Sequence, residues 1–409
     1  MPNFLDLPPE LRDHVYSLLL SPYSNRRHRS DCFYNYNYSR SLVLFRLNRQ
    51  IYLESRRIFH KLNTFALIST PWEQARHHVV LDGQVNIVLS EADHFKLSSI
   101  HITIKPLYPS PDSDDAPFFN FVILLETGDL DRFCRSWYYS SLNMPYLNAH
   151  LAVTLTMYDP YLSASPFPLP GEPHIPKYKQ KLLLEPFKQI RQLRSFTIQG
   201  DIQAYPSVLG PVEEVMKIPL DPPEKCLEDA TKFKELGNEA LTSGRYSEAV
   251  EYYNKAFFAI HIVIEGKNRR VHADAWFDRL ITAEGPFKNQ HAGTTRIILR
   301  VRLVANTILA YLKLQDYEMA IMTGMRTIKI MRTSIGLDDE EGATDPAMEA
   351  MSGFVASGEM GKIYYRTGMA YKAMDNKSEA RKLLKVAAIY LPNDKTVKQD
   401  LASVSLRLG

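Results

Sequence analysis

The chain has 409 residues, 45% of them hydrophobic, which is more than one ordinary domain holds, so two or more separately cored units are expected. Its 49 Lys+Arg nearly balance 46 Asp+Glu, and a formal charge of +3 argues against a global field that gathers nucleic acid or an anionic membrane. Three widely spaced cysteines, Cys32, Cys134 and Cys226, argue against a disulfide framework and fit a reducing cytoplasmic or nuclear compartment, and no basic leader or 18-residue apolar run suggests secretion or membrane spanning.

From the N-terminus, "LDLPPELRDHVYSLLL" reads as a helix entered through Pro8 and Pro9, with Leu11, Val15, Leu18 and Leu19 on one face. Such a stripe is expected to be buried as domain core, together with Leu5 and Leu7. The stretch "SPYSNRRHRSDCFYNYNYSRS" reads as a surface loop; its basic residues and tyrosines are a mixture that could stack on single-stranded nucleic acid, but no such partner is expected. A second helix is expected from Leu44 to Leu62, striped by Leu47, Ile51, Ile58, Phe59 and Leu62. Strand-like alternation follows in "NTFALIS", "SSIHITIKP", "AHLAVTLTM" and "LRSFTIQG", which makes residues 1–220 an α+β domain with a small sheet. Two Pro-rich stretches, 108–118 and 159–178, read as loops inside it.

The combination of "FLDLPPELRDHVYSLLL" with "LVLFRLNRQIYLESRRIFHKLNTFAL" resembles fungal F-box-like proteins, well over residues 3–70 and loosely to about 205. In a genuine F-box the Leu-Pro helix binds the adaptor subunit of a cullin-type ubiquitin ligase. The resemblance therefore implies an adaptor contact at Leu7, Pro8, Leu11 and Val15, although the long loop between the two helices departs from the family pattern.

At "IPLDPPEKC" the periodicity changes to continuously helical, and a second domain is expected over residues 221–409. "TKFKELGNEALTSGRYSEAVEYYNKAF" carries the small and aromatic spacing of a helix-turn-helix repeat through Phe233, Leu236, Gly237, Ala240, Ala249, Tyr253 and Ala256. "RLVANTILAYLKLQDYEMAIMTGMRTI" repeats it through Tyr311, Tyr317 and Ala320, with Gly324 where a large residue is usual; "GKIYYRTGMAYKAMDNKSEARKLLKVAAIYLPND" does so through Gly368, Tyr371, Ala380, Leu384, Ala387 and Pro392. This resembles the tetratricopeptide repeat and implies an all-α superhelix of three repeats, with "KTVKQDLASVSLRL" as a capping helix. The insert "IEGKNRRVHADAWFDRLITAEGPFKNQHAGTTR" is expected to extend helices of the first pair, and "LDDEEGATD" reads as a solvated loop.

Placed on wheels of about 100° per residue, Lys234, Asn238, Asn306, Lys362 and Arg366 fall off the packing seam on one arc of the first helices. The pattern of "KELGN", "ANTIL" and "KIYYR" resembles the dicarboxylate clamp of tetratricopeptide co-chaperones, which hold the Glu-Glu-Val-Asp tail of cytosolic heat-shock chaperones. It implies that these five residues bind the paired carboxylates of a chain-terminal Asp. Asn at two of these places is common in such repeats whatever their function, so Lys234, Lys362 and Arg366 carry the resemblance.

No glycine-rich phosphate loop, HExxH, CxxC or GxSxG is present, and neither His77-His78 nor the pair His94 and His101 has a cysteine beside it. The expectation is a non-enzymatic adaptor without metal or cofactor, whose repeats dock on a chaperone tail and whose N-terminal domain recruits a client or second partner. The alternative is an F-box-type substrate receptor of a ubiquitin ligase whose repeats bind the substrate.

Overall fold

The structure, a computed structural model, describes residues 4–30, 33–73, 75, 79–80, 83–107, 121–160, 175–337, 346–350 and 353–405. Backbone contacts divide the chain into two compact units, Met1–Leu220 and Asp221–Gly409. His77, His78, Cys32 and most of "LDDEEGATD" lie outside the described residues.

The first unit is α+β. Its five-stranded mixed sheet runs in the order β5(Phe121–Glu126)-β3(Phe65–Thr70)-β4(Ile100–Pro106)-β6(Leu151–Met157)-β7(Ser195–Gln199). β3 pairs parallel with β4 and β6 parallel with β7, whereas β3–β5 and β4–β6 are antiparallel. One face, through Phe65, Leu67, Val122 and Leu124, packs on α1(Pro9–Leu20), α2(Arg49–Leu62) and a hairpin of β1(Arg26–Ser30) and β2(Phe33–Tyr36). The opposite face, through Ile68, Ile102, Ile123 and Leu155, packs on α3(Leu130–Asn143), α4(Lys177–Leu184) and α5(Pro206–Lys217). β3 is therefore buried along its whole length, while β6 alternates between buried and half-buried residues.

Three sequence expectations are corrected here. The second helix begins at Arg49 rather than Leu44, because Asn48 Oδ1 accepts from Ile51 N at 2.9 Å and caps it, and Ser41–Arg46 is a separate 3-10 segment. The stretch between the first two helices contains the β1–β2 hairpin rather than loop alone. The buried face of α1 is Arg12, Tyr16 and Leu20, not the leucine stripe: Leu11 is 52% and Leu18 58% exposed. The reason is electrostatic. Arg12 makes a two-pronged pair with Glu54 of α2, Nε to Oε2 at 2.9 Å and Nη2 to Oε1 at 2.7 Å, and its Nη1 donates to the carbonyls of Leu5 and Leu7. Tyr16 donates to the same carboxylate at 3.1 Å. The hydrogen bonds from Arg12 hold Glu54 down at about 2, so the pair stays charged across the physiological range.

The second unit is helical. α6(Pro223–Thr242) pairs with α7(Tyr246–Ala259), α8(Ala292–Lys313) with α9(Tyr317–Ser334), and α10(Ser357–Ala373) with α11(Lys377–Tyr390); α12(Lys395–Val404) packs on α11. α6, α8 and α10 also touch in succession, and each second helix touches the next first helix. All three pairs turn in the same way. Gly244, Gln315 and Asp375 each adopt positive φ, and the next amide, of Arg245, Asp316 and Asn376, bonds back to Ala240, Tyr311 and Tyr371 respectively. Asp316 and Asn376 then cap the second helices through their side chains. The last helix is fastened by Asp400, which accepts from Tyr365 at 2.8 Å and Lys372 at 2.9 Å, while Val404 packs on Ala380 and Leu384.

The first insert does not extend the helices of the first pair. β-branched Ile262, Val263 and Ile264 form a hairpin, β8(Ile262–Glu265) with β9(Asn268–Val271), turned at Gly266 with φ +57. A helical turn, Asp274–Phe277, follows. Buried Arg296 of α8 anchors this insert by donating to Ile260 O at 3.0 Å, to His272 O and to Asp274 Oδ1 at 2.8 Å. In the segment between α9 and α10, Glu349 is buried and accepts from Arg332 at 2.6 Å and from Tyr364 at 3.1 Å.

Glu126 at the end of β5 is 8% exposed; burial, reinforced by Asp129, raises its carboxyl to about 7 from an ordinary 4.5. A raised carboxyl favours the fold while protonated in the native state, so its contribution is full at acid pH and is lost as pH rises from 4.5 to 7. Glu126→Gln, which stays neutral, is expected to gain on wild type by about 1–3 kcal/mol over that window. Urea unfolding of both proteins at pH 5 and 8 measures this, and an equal gap at the two pH values contradicts it.

Candidate functional site

The five residues singled out in the repeats lie on the first helix of each pair: Lys234 and Asn238 one turn apart on α6, Asn306 on α8, Lys362 and Arg366 one turn apart on α10. Three of them are joined. Asn238 Oδ1 accepts from Asn306 Nδ2 at 2.8 Å and from the Tyr253 hydroxyl of α7 at 2.9 Å. Arg366 Nη1 donates to the carbonyl of Ala305, the residue before Asn306. One side-chain network thus ties α6 and α7 to α8, and α8 is tied in turn to α10. The Asn238 Nδ2 hydrogens are left without an acceptor among the described residues.

Lys234 and Lys362 stand one helical turn toward the N-termini from Asn238 and Arg366 on those same faces. Lys234 is half-buried and Lys362 exposed, and among the described residues neither makes a hydrogen bond or an ion pair. Arg302, one turn before Asn306, reaches Glu359 of α10 at 3.5 Å. Burial lowers Arg366 from its ordinary value against the opposing pull of Tyr253 and Tyr365, and burial pushes the Tyr253 hydroxyl up to about 12. The row thus offers donors in the Lys234 and Lys362 side chains, the Arg366 guanidinium and the Asn238 Nδ2, beside the acceptor oxygen of Asn306.

Sequence reasoning did not foresee Tyr253 as a partner of Asn238. A cavity of about 520 Å³ is lined by Lys234, by Ile298 and Arg302 of α8, by Phe287 from the first insert and by Val355 just before α10. The first insert thus flanks the N-terminal end of the row, and Asn238, Asn306, Lys362 and Arg366 are not part of that cavity.

On the first unit, the residues expected at an adaptor contact are at the surface. Leu7 and Leu11 are exposed, as is Pro8, and Val15 is half-buried. Leu18 and Leu19 extend the same apolar strip.

No family model matches the chain, and no curated protein matches it. Among the described residues, no group of three or more His, Cys, Asp or Glu could hold a metal ion, and no helix is long and apolar enough to cross a membrane.

Proposed function

We propose that the second unit is a tetratricopeptide-type stack of three repeats with a capping helix, and that the row Lys234, Asn238, Asn306, Lys362 and Arg366 binds the free C-terminal carboxylates of a partner peptide. The partner chemistry is that of a Glu-Glu-Val-Asp tail, as on cytosolic heat-shock chaperones, and the protein acts as a non-enzymatic adaptor. The observation that carries this reading is the linkage of three first helices through Asn238, Asn306 and Arg366, beside two lysines that make no hydrogen bond or ion pair among the described residues. A terminal Asp carries two carboxylates that only accept, and Lys234, Lys362, Arg366 and the Asn238 Nδ2 have donors to offer. Charge-assisted bonds of this kind contribute about 1.5–3 kcal/mol each.

A second reading is favoured by a separate observation: the leucine strip of α1 faces solvent while a salt bridge faces the core. Exposed apolar strips of this kind mark protein contacts, and here the contact would be the ligase adaptor at Leu7, Pro8, Leu11 and Val15. Both readings can hold in one protein, with the repeats holding the chaperone and the first unit joining it to a ligase.

Lys234 and Lys362 have no partners within the described fold, so reversing their charge isolates the effect on a ligand. A peptide ending in Glu-Glu-Val-Asp is expected to bind the full chain at a Kd of roughly 1–100 μM, and Lys234→Glu or Lys362→Glu to weaken it at least tenfold, about 1.4 kcal/mol, with an unchanged melting temperature. Fluorescence anisotropy measures this; an undiminished affinity in both variants contradicts the carboxylate-binding row. For the second reading, Leu11→Asp should change unfolding free energy by no more than about 0.5 kcal/mol and should remove binding of the ligase adaptor on gel filtration. Failure of the wild type to bind purified adaptor removes that reading and leaves the first untouched.

A further inference from the structure

A cavity in the first unit, sharing no residue with the carboxylate row, lies between the sheet and α3. Its volume is about 470 Å³, far more than one water takes and within the ordinary range of small-molecule sites, about 300–1,000 Å³. Ile68 of β3, Ile104 of β4, Ile123 of β5 and Leu151 of β6 form its floor, and all four are buried. The opposite wall comes from α3, where Phe133, Ser136, Trp137 and Ser140 are spaced three and four apart and so share one face. Trp72, after β3, and Met144, after α3, stand on the solvent side, 38% and 49% exposed.

The chemistry of the wall selects the ligand. Among the described residues it carries no charged side chain, so an ion drawn inside would lose its water and gain no counter-charge. Three polar groups of the wall are already used by the protein: Trp137 Nε1 donates to Asn148 Oδ1 at 2.8 Å, Ser140 Oγ donates to the Ser136 carbonyl at 2.9 Å, and Thr70 Oγ1 accepts from the Trp72 amide at 3.4 Å. The Ser136 hydroxyl is different. It makes no hydrogen bond among the described residues, and its place is set by Gly83, where an added Cβ would stand 2.3 Å from Ser136 Oγ.

We propose that this cavity binds a small uncharged lipid-like molecule, a hydrocarbon chain with one hydroxyl or carbonyl group, packed between the sheet isoleucines and the rings of Phe133 and Trp137 with its polar group at Ser136. Apolar burial supplies most of the affinity, and one hydrogen bond fixes the orientation. The ligand belongs to a class that the carboxylate row does not take, so the site stands or falls independently of the repeats.

Bromine quenches tryptophan fluorescence at contact, and two of the three tryptophans, Trp72 and Trp137, line the cavity, while Trp276 belongs to the second unit. Titrating the full chain with bromoundecanol is expected to give saturable quenching, reversed by unbrominated undecanol and retained in Trp276→Phe. Ile104→Phe fills the space and Met144→Glu puts a charge at the half-exposed mouth; each should weaken binding at least tenfold, and Ser136→Ala about fivefold, the worth of one hydrogen bond. The melting temperature separates a ligand site from ordinary core. An added ring strains a core that is already filled, so Ile104→Phe without ligand should melt at or above the wild-type temperature. The proposal is overturned if wild type shows no saturable quenching, as it would if a protein side chain filled the cavity, or if the quenching disappears in Trp276→Phe. It is equally overturned if Ile104→Phe melts well below wild type, or if Met144→Glu and Ser136→Ala bind as tightly as wild type.

Discussion

The helical unit depends on one amide. Asn238 sits where α6, α7 and α8 meet, and its single oxygen accepts from both Tyr253 and Asn306. A leucine there would leave the buried Tyr253 hydroxyl and the Asn306 amide without an acceptor, at a cost of about 1–3 kcal/mol for each group left unsatisfied. The same bond fixes which side of the amide is spent inside the fold and which side remains available. It also explains why asparagine at these places says little about function: Asn238 and Asn306 hold helices together whether or not a ligand comes. Lys234 and Lys362 make no such bond among the described residues, and for that reason they carry more of the functional argument.

Close helix approach is the second constraint. A Cβ on Gly237 would stand 2.5 Å from the Tyr253 ring, and one on Gly324 would stand 1.9 Å from Thr367 Oγ1. Gly324, which looks like a flaw when the second repeat is compared with its neighbours, is where α9 comes against α10. A large residue there would push α10 outward, and Arg366 would leave the Ala305 carbonyl with it. The placement of Arg366 in the row is therefore set partly by a glycine on another helix.

The parts of the fold most legible in the sequence are those whose environment is one-sided. β4 and β6 alternate because one face of each is better covered than the other, and both were readable. β5, with five of its six residues buried, reads "FVILLE" without alternation, and no strand was expected there. The face of α1 was misread because apolar periodicity counts leucines and cannot see that Arg12 has Glu54 waiting on α2, 42 residues away. The same blindness hid the hairpin after α7: its short β-branched run sits between helices, and only Gly266 and the anchoring by Arg296 make it a strand pair. The shared faces of Lys234 with Asn238 and of Lys362 with Arg366 were legible because residues four apart on a helix lie together. The contacts among the members of the row, by contrast, are tertiary facts that no spacing contains.

The account rests on the chain terminus of the partner, since only there do two carboxylates arise from one residue. The most direct measurement is calorimetric titration of the full chain with two peptides ending in Glu-Glu-Val-Asp, one with a free terminal carboxylate and one amidated. The account predicts at least about tenfold weaker binding for the amide, or 1.4 kcal/mol, with a smaller loss of affinity on raising salt once that charge is gone. Equal affinity for the two peptides would contradict it, and Lys234, Lys362 and Arg366 would then be ordinary solvated or structural positions on three packed helices.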